Sequence, residues 1–191
     1  MPSSERILRV AAIHDMSCFG RCALTVVIPV LSAMGIQVVP VPTALLSTHT
    51  GGFEDLYFRD LTDDMTEIGD HFSRLGLEFD AIYTGFLGSE RQISVVSDFL
   101  DRFGKKSCLR FVDPVMGDDG ALYSTYNDIL AAGMKHLCEK ADIITPNLTE
   151  ACYLTGTEYR DTGKMSENDA ADFAAKVCRK LGDLTDADIV I

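Results

Sequence analysis

The sequence predicts an α/β fold in which a mainly parallel central sheet is flanked by helices. Apolar, β-branched runs of strand length alternate with amphipathic patterns of helical period. Strands alternating with helices pair in parallel through right-handed crossovers, because a short turn cannot join two parallel strands. With 191 residues the chain can bury a sizeable core, and we expect residues 1–191 to form a single domain.

The first half of the chain predicts three strands and three helices. Strands are expected at 7–13, 37–46 and 80–85, and helices at 21–34, 63–75 and 89–103. Gly35 ends the first helix, and Ser89 is the expected N-cap of the third. Pro40 and Pro42 place the second strand at an edge or an irregular position, because proline cannot donate a ladder hydrogen bond.

The second half of the chain continues the alternation. Strands are expected at 108–113, 142–147 and 187–191, and helices at 126–140, from 147, and from 166 to 182. The segment 156–168 is predicted to be an exposed, charged connection. The last four residues, 188–191, are an apolar run without a polar tail, so we expect a longer protein to continue beyond Ile191.

Composition argues against several kinds of partner. The formal net charge is −12, from 17 basic and 29 acidic residues, which would repel nucleic acid or an anionic membrane. The longest apolar segment, 22–36, is interrupted by Pro29 and Gly35 and is too short to span a membrane. The N-terminus lacks a secretory signal, so we expect a cytoplasmic location.

The six cysteines are scattered and show no paired metal-ligand spacing. Most lie in apolar surroundings, which predicts small reduced hydrophobic side chains. The alternative is a redox pair formed by Cys18 and Cys22, the two that lie closest in the sequence.

Polar residues collect where the predicted strands end. They follow five strands in turn, at 14–15, 47–52, 85–88, 113–114 and 145–147. Ligands of open α/β sheets bind outside the carboxyl ends of the strands, so these turns predict one shared pocket.

The densest group of carboxylates lies in one of these turns, where Asp113 is followed by Asp118 and Asp119. Neighbouring carboxylates repel one another, and a divalent cation would relieve the repulsion. Magnesium prefers one or two carboxylates together with water and phosphate oxygens, which suits a nucleotide site. Because GxxxxGK[ST] is absent and no GxGxxG opens a helix, a nucleotide must be held in another way.

Each turn also has a purely structural explanation. Asn147 followed by Glu150 is typical of a capping box, which alone could account for both residues. His49 could be an ordinary loop histidine. Asp113 could simply end a strand, because the residue before proline favours extended geometry. The turn 85–88 could be no more than a strand-to-helix connection.

Four motifs carry a resemblance to a known family. They are HTGG at 49–52, TGFLGS at 84–89, DPVMGDDGALY at 113–123 and ITPNLTEACYLTG at 144–156. From about Val10 to its end the chain resembles the pyridoxal kinase group of the ribokinase-like superfamily, to which the hydroxymethylpyrimidine phosphate kinases are closely related. The resemblance implies a ribokinase-like layered fold. It also implies transfer of the γ-phosphoryl group of ATP to the 5'-hydroxymethyl group of pyridoxal, pyridoxamine or pyridoxine.

The resemblance further implies roles for ten residues. Asp15, His49, Thr50 and Phe86 would line the substrate pocket, Asp113, Tyr123, Thr145 and Asn147 would contact ATP, and Asp118 and Glu150 would serve the metal. Glu150 in such kinases often acts through water. The implied cofactor is Mg²⁺, with a monovalent cation as a further option, and the implied assembly is a homodimer.

The sequence departs from the family in two respects. Pyridoxal kinases usually carry serine at the position of Asp15 and an aromatic residue at that of Leu46. The 191 residues also lack the GTGD-like turn of the family's C-terminal part, in which backbone N–H groups form an anion hole and aspartate takes the substrate proton. We therefore expect an N-terminal portion of a longer fold, with its catalytic base beyond Ile191 and little kinase activity alone.

Two other functions are considered. One is hydroxymethylpyrimidine (phosphate) kinase activity in thiamin synthesis. The other is a vitamer-binding fragment that performs no chemistry. The coding sequence downstream of Ile191 would distinguish the kinases from the binding fragment.

Overall fold

The computed structural model describes residues 6–105, 107–123 and 125–189. Its strands are β1 (Arg9–Phe19), β2 (Gln37–Thr48), β3 (Phe58–Asp60), β4 (Ala81–Thr84), β5 (Leu109–Val112), β6 (Gly117–Asp118), β7 (Ala121–Leu122), β8 (Ile143–Ile144) and β9 (Asp188–Ile189). Its helices are α1 (Leu24–Ala33), α2 (Thr62–Arg74), α3 (Glu90–Phe103), α4 (Asp128–Glu139), α5 (Leu148–Thr155) and α6 (Glu167–Gly182). A short 3₁₀ turn, Thr162–Lys164, lies in the predicted connection. The predicted alternation of strands and helices is confirmed.

Seven strands form one sheet in the order β3-β2-β1-β4-β5-β8-β9. Every neighbouring pair is parallel except β2 and β3. The predicted mainly parallel sheet is therefore confirmed, and the carboxyl ends of β1, β2, β4, β5 and β8 lie along one edge. A separate two-stranded hairpin is formed by β6 and β7.

The prolines of β2 occupy the position that the sequence predicts. β3 pairs only with residues 44–46 of β2, whereas Pro40 and Pro42 lie upstream of that pairing. On their other side the two prolines pair with Ala12 and His14 of β1. The first half of β2 is thus an edge within the described residues, where a missing N–H group leaves no ladder bond unmade.

β1 is longer than predicted. It continues through the polar residues to Phe19, so His14 and Asp15 lie within the strand and not after it. The reason is its partner, because β2 extends to Thr48 and keeps β1 paired that far. The register between the two strands shifts between His14 and Met16, which places Asp15 at an irregularity of the ladder. Such irregularities re-aim a side chain and are frequent beside functional sites.

β3, β6 and β7 were also missed, because strands of two or three residues carry no measurable alternation. The longer elements are confirmed to within a few residues. Their inner faces share one apolar core, whose strand contribution includes the fully buried Ile13, Ile82 and Ile144. α1 packs on β1 and β2, and α2 to α6 pack on one another in chain order.

Helix ends follow local side-chain chemistry. Asn127 caps α4 by accepting a hydrogen bond from the Leu130 N–H group, and Ser166 caps α6 in the same way through Asp169. None of the helices in the described ranges is long and apolar enough to cross a membrane. All six cysteines are free thiols, so Cys18 and Cys22 are not joined in a disulfide.

Candidate active site

A cavity of about 540 Å³ opens at the carboxyl ends of β1, β2, β4 and β5. Its wall includes six of the ten residues selected from the sequence: Asp15, His49, Thr50, Phe86, Asp113 and Tyr123. A depression of about 670 Å³ between α4, α5 and α6 contains none of the ten. The strand-end cavity therefore brings six of the predicted residues together, whereas Asp118, Thr145, Asn147 and Glu150 do not line it.

Asp15 presents a buried carboxylate to this cavity. The residue is 7% exposed, and its Oδ2 atom accepts a hydrogen bond of 2.7 Å from the Ser17 hydroxyl. Burial raises the pKa of Asp15, while the Ser17 hydrogen bond opposes the shift. Asp15 and Ser17 therefore contribute a buried acid and the hydroxyl that binds it to the lining of the cavity.

His14 and Tyr83 line the cavity and were not selected from the sequence. Their rings meet edge to face with centroids 4.3 Å apart, and Tyr83 meets Phe111 in the same manner at 4.7 Å. This aromatic row crosses β1, β4 and β5. The sequence places His14 among the polar residues at the end of the first predicted strand, but no motif gives it a role. Tyr83 lies inside a short strand, where no sequence pattern marks it.

Burial controls the ionisation of both residues. His14 is 4% exposed, its Nε2 atom has no hydrogen-bond partner in the described part of the chain, and burial lowers its pKa to about 4. His14 is therefore neutral at physiological pH. Burial, assisted by the negative charge of Asp113, raises the pKa of Tyr83 to about 12.

His49 and Phe86 both line the cavity. His49 Nδ1 accepts a hydrogen bond of 3.2 Å from the Gly51 N–H group, and its ring meets Phe53 at 5.0 Å. The carbonyl oxygen of Phe86 accepts a hydrogen bond of 2.9 Å from the hydroxyl of the buried Thr43. Each residue is thus held by a specific local contact as well as facing the cavity.

Gln92 supports the turn that carries Phe86. Its Oε1 atom accepts a hydrogen bond of 2.8 Å from the Gly88 N–H group, and its Nε2 atom donates one of 2.7 Å to the Thr43 carbonyl. Ser89 occupies the N-cap position of α3 as predicted, but its side chain makes no capping hydrogen bond. The predicted N-cap position of Ser89 is therefore confirmed, whereas the side-chain hydrogen bonds that stabilise this turn come from Gln92, which is fully buried.

Asp113 lies immediately after β5, on the same wall as Tyr83. Burial raises its pKa to about 6, while a hydrogen bond from the Thr145 side chain opposes that shift. The Thr145 N–H group donates to the Val112 carbonyl at 3.3 Å. Asp113 and Thr145 therefore meet where β5 and β8 end side by side.

Asn147 and Glu150 form the predicted capping box of α5. Asn147 Oδ1 accepts from the Glu150 N–H group at 2.9 Å, and Glu150 Oε2 accepts from the Asn147 N–H group at 2.8 Å. The same side chains also reach the hairpin loop. Glu150 Oε1 accepts from the Met116 N–H group at 3.0 Å, and Asn147 Nδ2 donates to the Gly117 carbonyl at 2.8 Å.

Glu150 is only 3% exposed, and burial raises its pKa to about 7, assisted by the nearby charge of Asp113. Both of its carboxylate oxygens accept backbone N–H groups. The predicted capping box thus explains the hydrogen bonds between Asn147 and Glu150. These hydrogen bonds do not fully offset the cost of burying the Glu150 charge, because the pKa of Glu150 is still raised.

Asp118 and Asp119 lie on the exposed hairpin of β6 and β7. Asp118 Oδ1 accepts from the Asp119 N–H group at 2.9 Å. Asp119 and Gly120 form the tip, with φ values of 49° and 82°, and the Gly120 N–H group donates to the Thr149 hydroxyl at 2.9 Å. The first turn of α5 therefore holds both ends of the hairpin.

The negative charges of three carboxylates act on Tyr123. Burial raises the pKa of Tyr123, and the charges of Asp118, Glu150 and Asp113 raise it further. Within the described ranges no group of three or more His, Cys, Asp or Glu side chains is arranged to hold a metal ion by itself. One or two carboxylates are enough for a Mg²⁺ ion whose remaining ligands are water and phosphate oxygens.

Comparison with known proteins relates this chain to a family of kinases. The model of the phosphomethylpyrimidine kinase family matches residues 28–181. The pyridoxine/pyridoxal/pyridoxamine kinase of Bordetella avium is 32% identical over 159 residues, which are 78% of this chain and 52% of that protein. The hydroxymethylpyrimidine/phosphomethylpyrimidine kinase of Rhizobium meliloti is 32% identical over 128 residues, which are 65% of this chain and 45% of that protein. The chain thus spans about half the length of these curated relatives.

Solved structures show the same relationship. A protein of Bacteroides thetaiotaomicron, crystallised with pyridoxal and described as a phosphomethylpyrimidine kinase, is 45% identical with a TM-score of 0.82. The match covers 92% of this chain and 60% of that one. Pyridoxal kinase from Lactobacillus plantarum is 31% identical with a TM-score of 0.80, covering 94% of this chain and 61% of that one.

Proposed function

Because the chain belongs to the phosphomethylpyrimidine kinase family, and within it to the pyridoxal kinase group of the ribokinase-like superfamily, we propose that it serves ATP-dependent phosphorylation of a vitamin B6 vitamer. The reacting group is the 5'-hydroxymethyl group of pyridoxal, pyridoxamine or pyridoxine. The observation that carries the proposal is the strand-end cavity, in which substrate-type and phosphate-type side chains share one wall.

The substrate end of the cavity suits a small aromatic ring with polar substituents. Tyr83 and Phe86 supply apolar faces, and Asp15, His49 and Thr50 supply polar groups around them. A pocket of this kind orients its ligand through a few placed polar groups while apolar walls exclude water. These side chains would hold the alcohol of the vitamer toward Asp113, which lies on the same wall.

We assign the phosphate end to Asp113, Asp118 and Glu150, the three acids whose charges raise the pKa of Tyr123. We assign Asp118 and Glu150 to Mg²⁺, Glu150 through water because both of its oxygens already accept backbone N–H groups. Mg²⁺, when bound, would neutralise the phosphate charge that develops during transfer. Asp113 and Glu150, whose pKa values are raised by burial, would then keep their negative charge at lower pH.

The remaining ATP contacts are assigned to Tyr123, Thr145 and Asn147. Tyr123 lines the cavity, and the Thr145 side chain acts on Asp113, which also lines it, by opposing the rise in the pKa of that acid. The Asn147 amide is engaged with the hairpin and with α5, so we assign it to holding the hairpin in place for the nucleotide. Phosphoryl transfer depends mainly on such positioning and on charge neutralisation.

We place the general base outside these 191 residues. The relatives contain about as much chain again as the part that matches, and the GTGD-like turn of the family is absent from the sequence. The 191-residue chain alone is therefore proposed to bind vitamer and Mg²⁺ but to turn over slowly, because nothing takes the proton of the alcohol. We further propose that the protein is cytoplasmic, that it forms a homodimer and that a monovalent cation is a further cofactor.

Hydroxymethylpyrimidine is the alternative substrate, supported by the relative from Rhizobium meliloti. The test is an ATP- and Mg²⁺-dependent phosphorylation assay with pyridoxal, pyridoxamine, pyridoxine and hydroxymethylpyrimidine side by side. It is run on the 191-residue chain and on the product of the coding sequence continued past Ile191. We expect B6 vitamers to be phosphorylated at the higher rate by the continued product. Exclusive phosphorylation of hydroxymethylpyrimidine would contradict the proposal.

A further inference from the structure

Asp15 is a buried acid that forms no ion pair within the described part of the chain. Its side-chain hydrogen bond comes from Ser17, which is 1% exposed and electrically neutral. An ionised carboxylate removed from water costs free energy unless a positive charge or several hydrogen-bond donors compensate it. One hydroxyl group compensates it only in part.

The neighbouring side chains do not supply the missing positive charge. His14, the preceding residue, has a pKa lowered to about 4 by burial and is neutral at physiological pH. Arg21 lines the same cavity but is exposed and forms no ion pair with a described residue. The positive charge that best matches Asp15 is therefore one that a ligand brings into the cavity.

Asp15 is also separate from the acids at the phosphate end. It lies in β1, Asp113 follows β5, and β4 runs between these two strands. Neighbouring strands are about 4.8 Å apart, so two strand spacings put the two positions on the order of 10 Å from each other. A cation at the phosphate end is thus beyond hydrogen-bonding reach of Asp15, which needs a partner of its own.

Resting on the proposed function, we propose that Asp15, oriented by Ser17, is the counter-ion for a protonated amine and gives the cavity a preference for pyridoxamine. The three vitamers differ in one ring substituent, which is an aminomethyl group in pyridoxamine, a hydroxymethyl group in pyridoxine and an aldehyde in pyridoxal. Only the aminomethyl group is cationic at neutral pH. Ser17 holds Oδ2 of the carboxylate, and Oδ1 is the assigned partner of the amine. The ladder irregularity at Asp15 accounts for how a strand residue reaches the cavity.

Calorimetric titration in the absence of nucleotide tests this preference without requiring catalysis. Pyridoxamine, pyridoxine and pyridoxal are each titrated into the wild-type chain, into Asp15→Asn and into Asp64→Asn. Asp64 is an exposed acid in the first turn of α2 and serves as the matched control. We expect the wild type and the control to bind pyridoxamine at least about tenfold more tightly than pyridoxine, and Asp15→Asn to lose that difference.

Ser17→Ala provides a second variant and thermal unfolding a second measurement. Ser17→Ala keeps the charge, so it should retain a preference for pyridoxamine. Asp15→Asn should melt no lower than the wild type, because it removes a partly compensated buried charge.

An unchanged vitamer ratio in Asp15→Asn overturns the inference alone, as does a clear loss of thermal stability in that variant. Absence of binding by every vitamer to the wild type overturns the proposed function together with it.

Discussion

The imidazole ring of His14 lies directly against Gly85. A methyl group in place of the Gly85 side-chain hydrogen would overlap Nδ1 of His14 and fall 2.6 Å from its Cε1 atom. The same ring also meets Tyr83 edge to face with centroids 4.3 Å apart, which restricts its movement. Glycine at position 85 is therefore required for His14 to occupy the wall of the cavity.

Gly85→Ala is expected to lower the free energy of unfolding by about 1–3 kcal/mol and to weaken vitamer binding, because overpacking forces His14 or the turn 85–88 to move. Chemical denaturation and titration calorimetry measure the two effects. Gly182→Ala is the matched control, since nothing lies within 4 Å of an added Cβ atom at the end of α6. An unchanged stability in Gly85→Ala would contradict the close contact between Gly85 and His14.

Thr149→Val is expected to loosen the hairpin of β6 and β7. Valine has nearly the shape of threonine but cannot accept the hydrogen bond from the Gly120 N–H group. Loss of that partner costs about 1–3 kcal/mol locally. Amide hydrogen exchange should therefore become faster at residues 117–122, and binding of Mg²⁺ with ADP should weaken. Thr125→Val is the control, because Thr125 is exposed. Equal exchange in the two variants would argue against the proposed role of α5.

The pH dependence of stability should reflect Glu150. The pKa of Glu150 is about 7 in the folded chain, whereas the ordinary value of 4.5 applies to the unfolded chain. Between these two pH values the folded chain therefore keeps a proton that the unfolded chain releases. This contribution to stability is complete below pH 4.5 and is lost as the pH rises to about 7. Wild type should therefore lose stability relative to Glu150→Gln between pH 4.5 and pH 8, by on the order of 2 kcal/mol.

The measurement is chemical denaturation of both chains at several pH values in that window. Glutamine can still act in a capping box, although it accepts one backbone N–H group fewer, so a constant difference between the two chains is expected in addition. The test concerns only the part that varies with pH. A difference independent of pH would show that Glu150 is ionised at no cost in the folded chain.

Asp142→Asn should reduce stability without affecting the cavity. Asp142 accepts hydrogen bonds from the backbone N–H, Nε and Nη2 groups of Arg110, the side-chain bonds measuring 3.0 and 2.7 Å. This bidentate pair lies at the opposite ends of β5 and β8 from the site and lowers the pKa of Asp142. The expected cost is about 1 kcal/mol, because both side chains are partly exposed. Vitamer affinity should remain that of the wild type. A change in affinity would contradict the conclusion that the Arg110–Asp142 pair is separate from the cavity.

The longer elements of the fold could be predicted from the sequence because their apolar periods are local. Helix α2 and helix α6 were located to within one or two residues in this way. The extent of β1 could not be predicted, because it depends on pairing with β2, which is distant in sequence. The hairpin of β6 and β7 was missed for a related reason, since its hydrogen bonds to α5 come from residues some thirty positions away.

The candidate site likewise contains residues that the sequence could predict and residues that it could not. His49 and Phe86 could be predicted because motifs contain them, and Asp15 because it follows the first predicted strand; all three line the same cavity. His14, Tyr83 and Gln92 have no motif, and their importance arises from contacts between strands or between a helix and a turn. The double use of Glu150, as cap and as anchor of the Met116 loop, is likewise a tertiary property.

The hydrogen bonds that connect the start of α5 to the β6–β7 hairpin constrain the order in which these parts of the chain can fold. Each strand of the hairpin has only two residues, and a two-stranded hairpin of that size does not persist alone in water. Any state in which α5 is detached therefore also lacks the shape of the loop that bears Asp118. The aromatic row on β1, β4 and β5 does not depend on α5. The part of the pocket proposed to bind the vitamer ring can therefore form before the part proposed to bind phosphate.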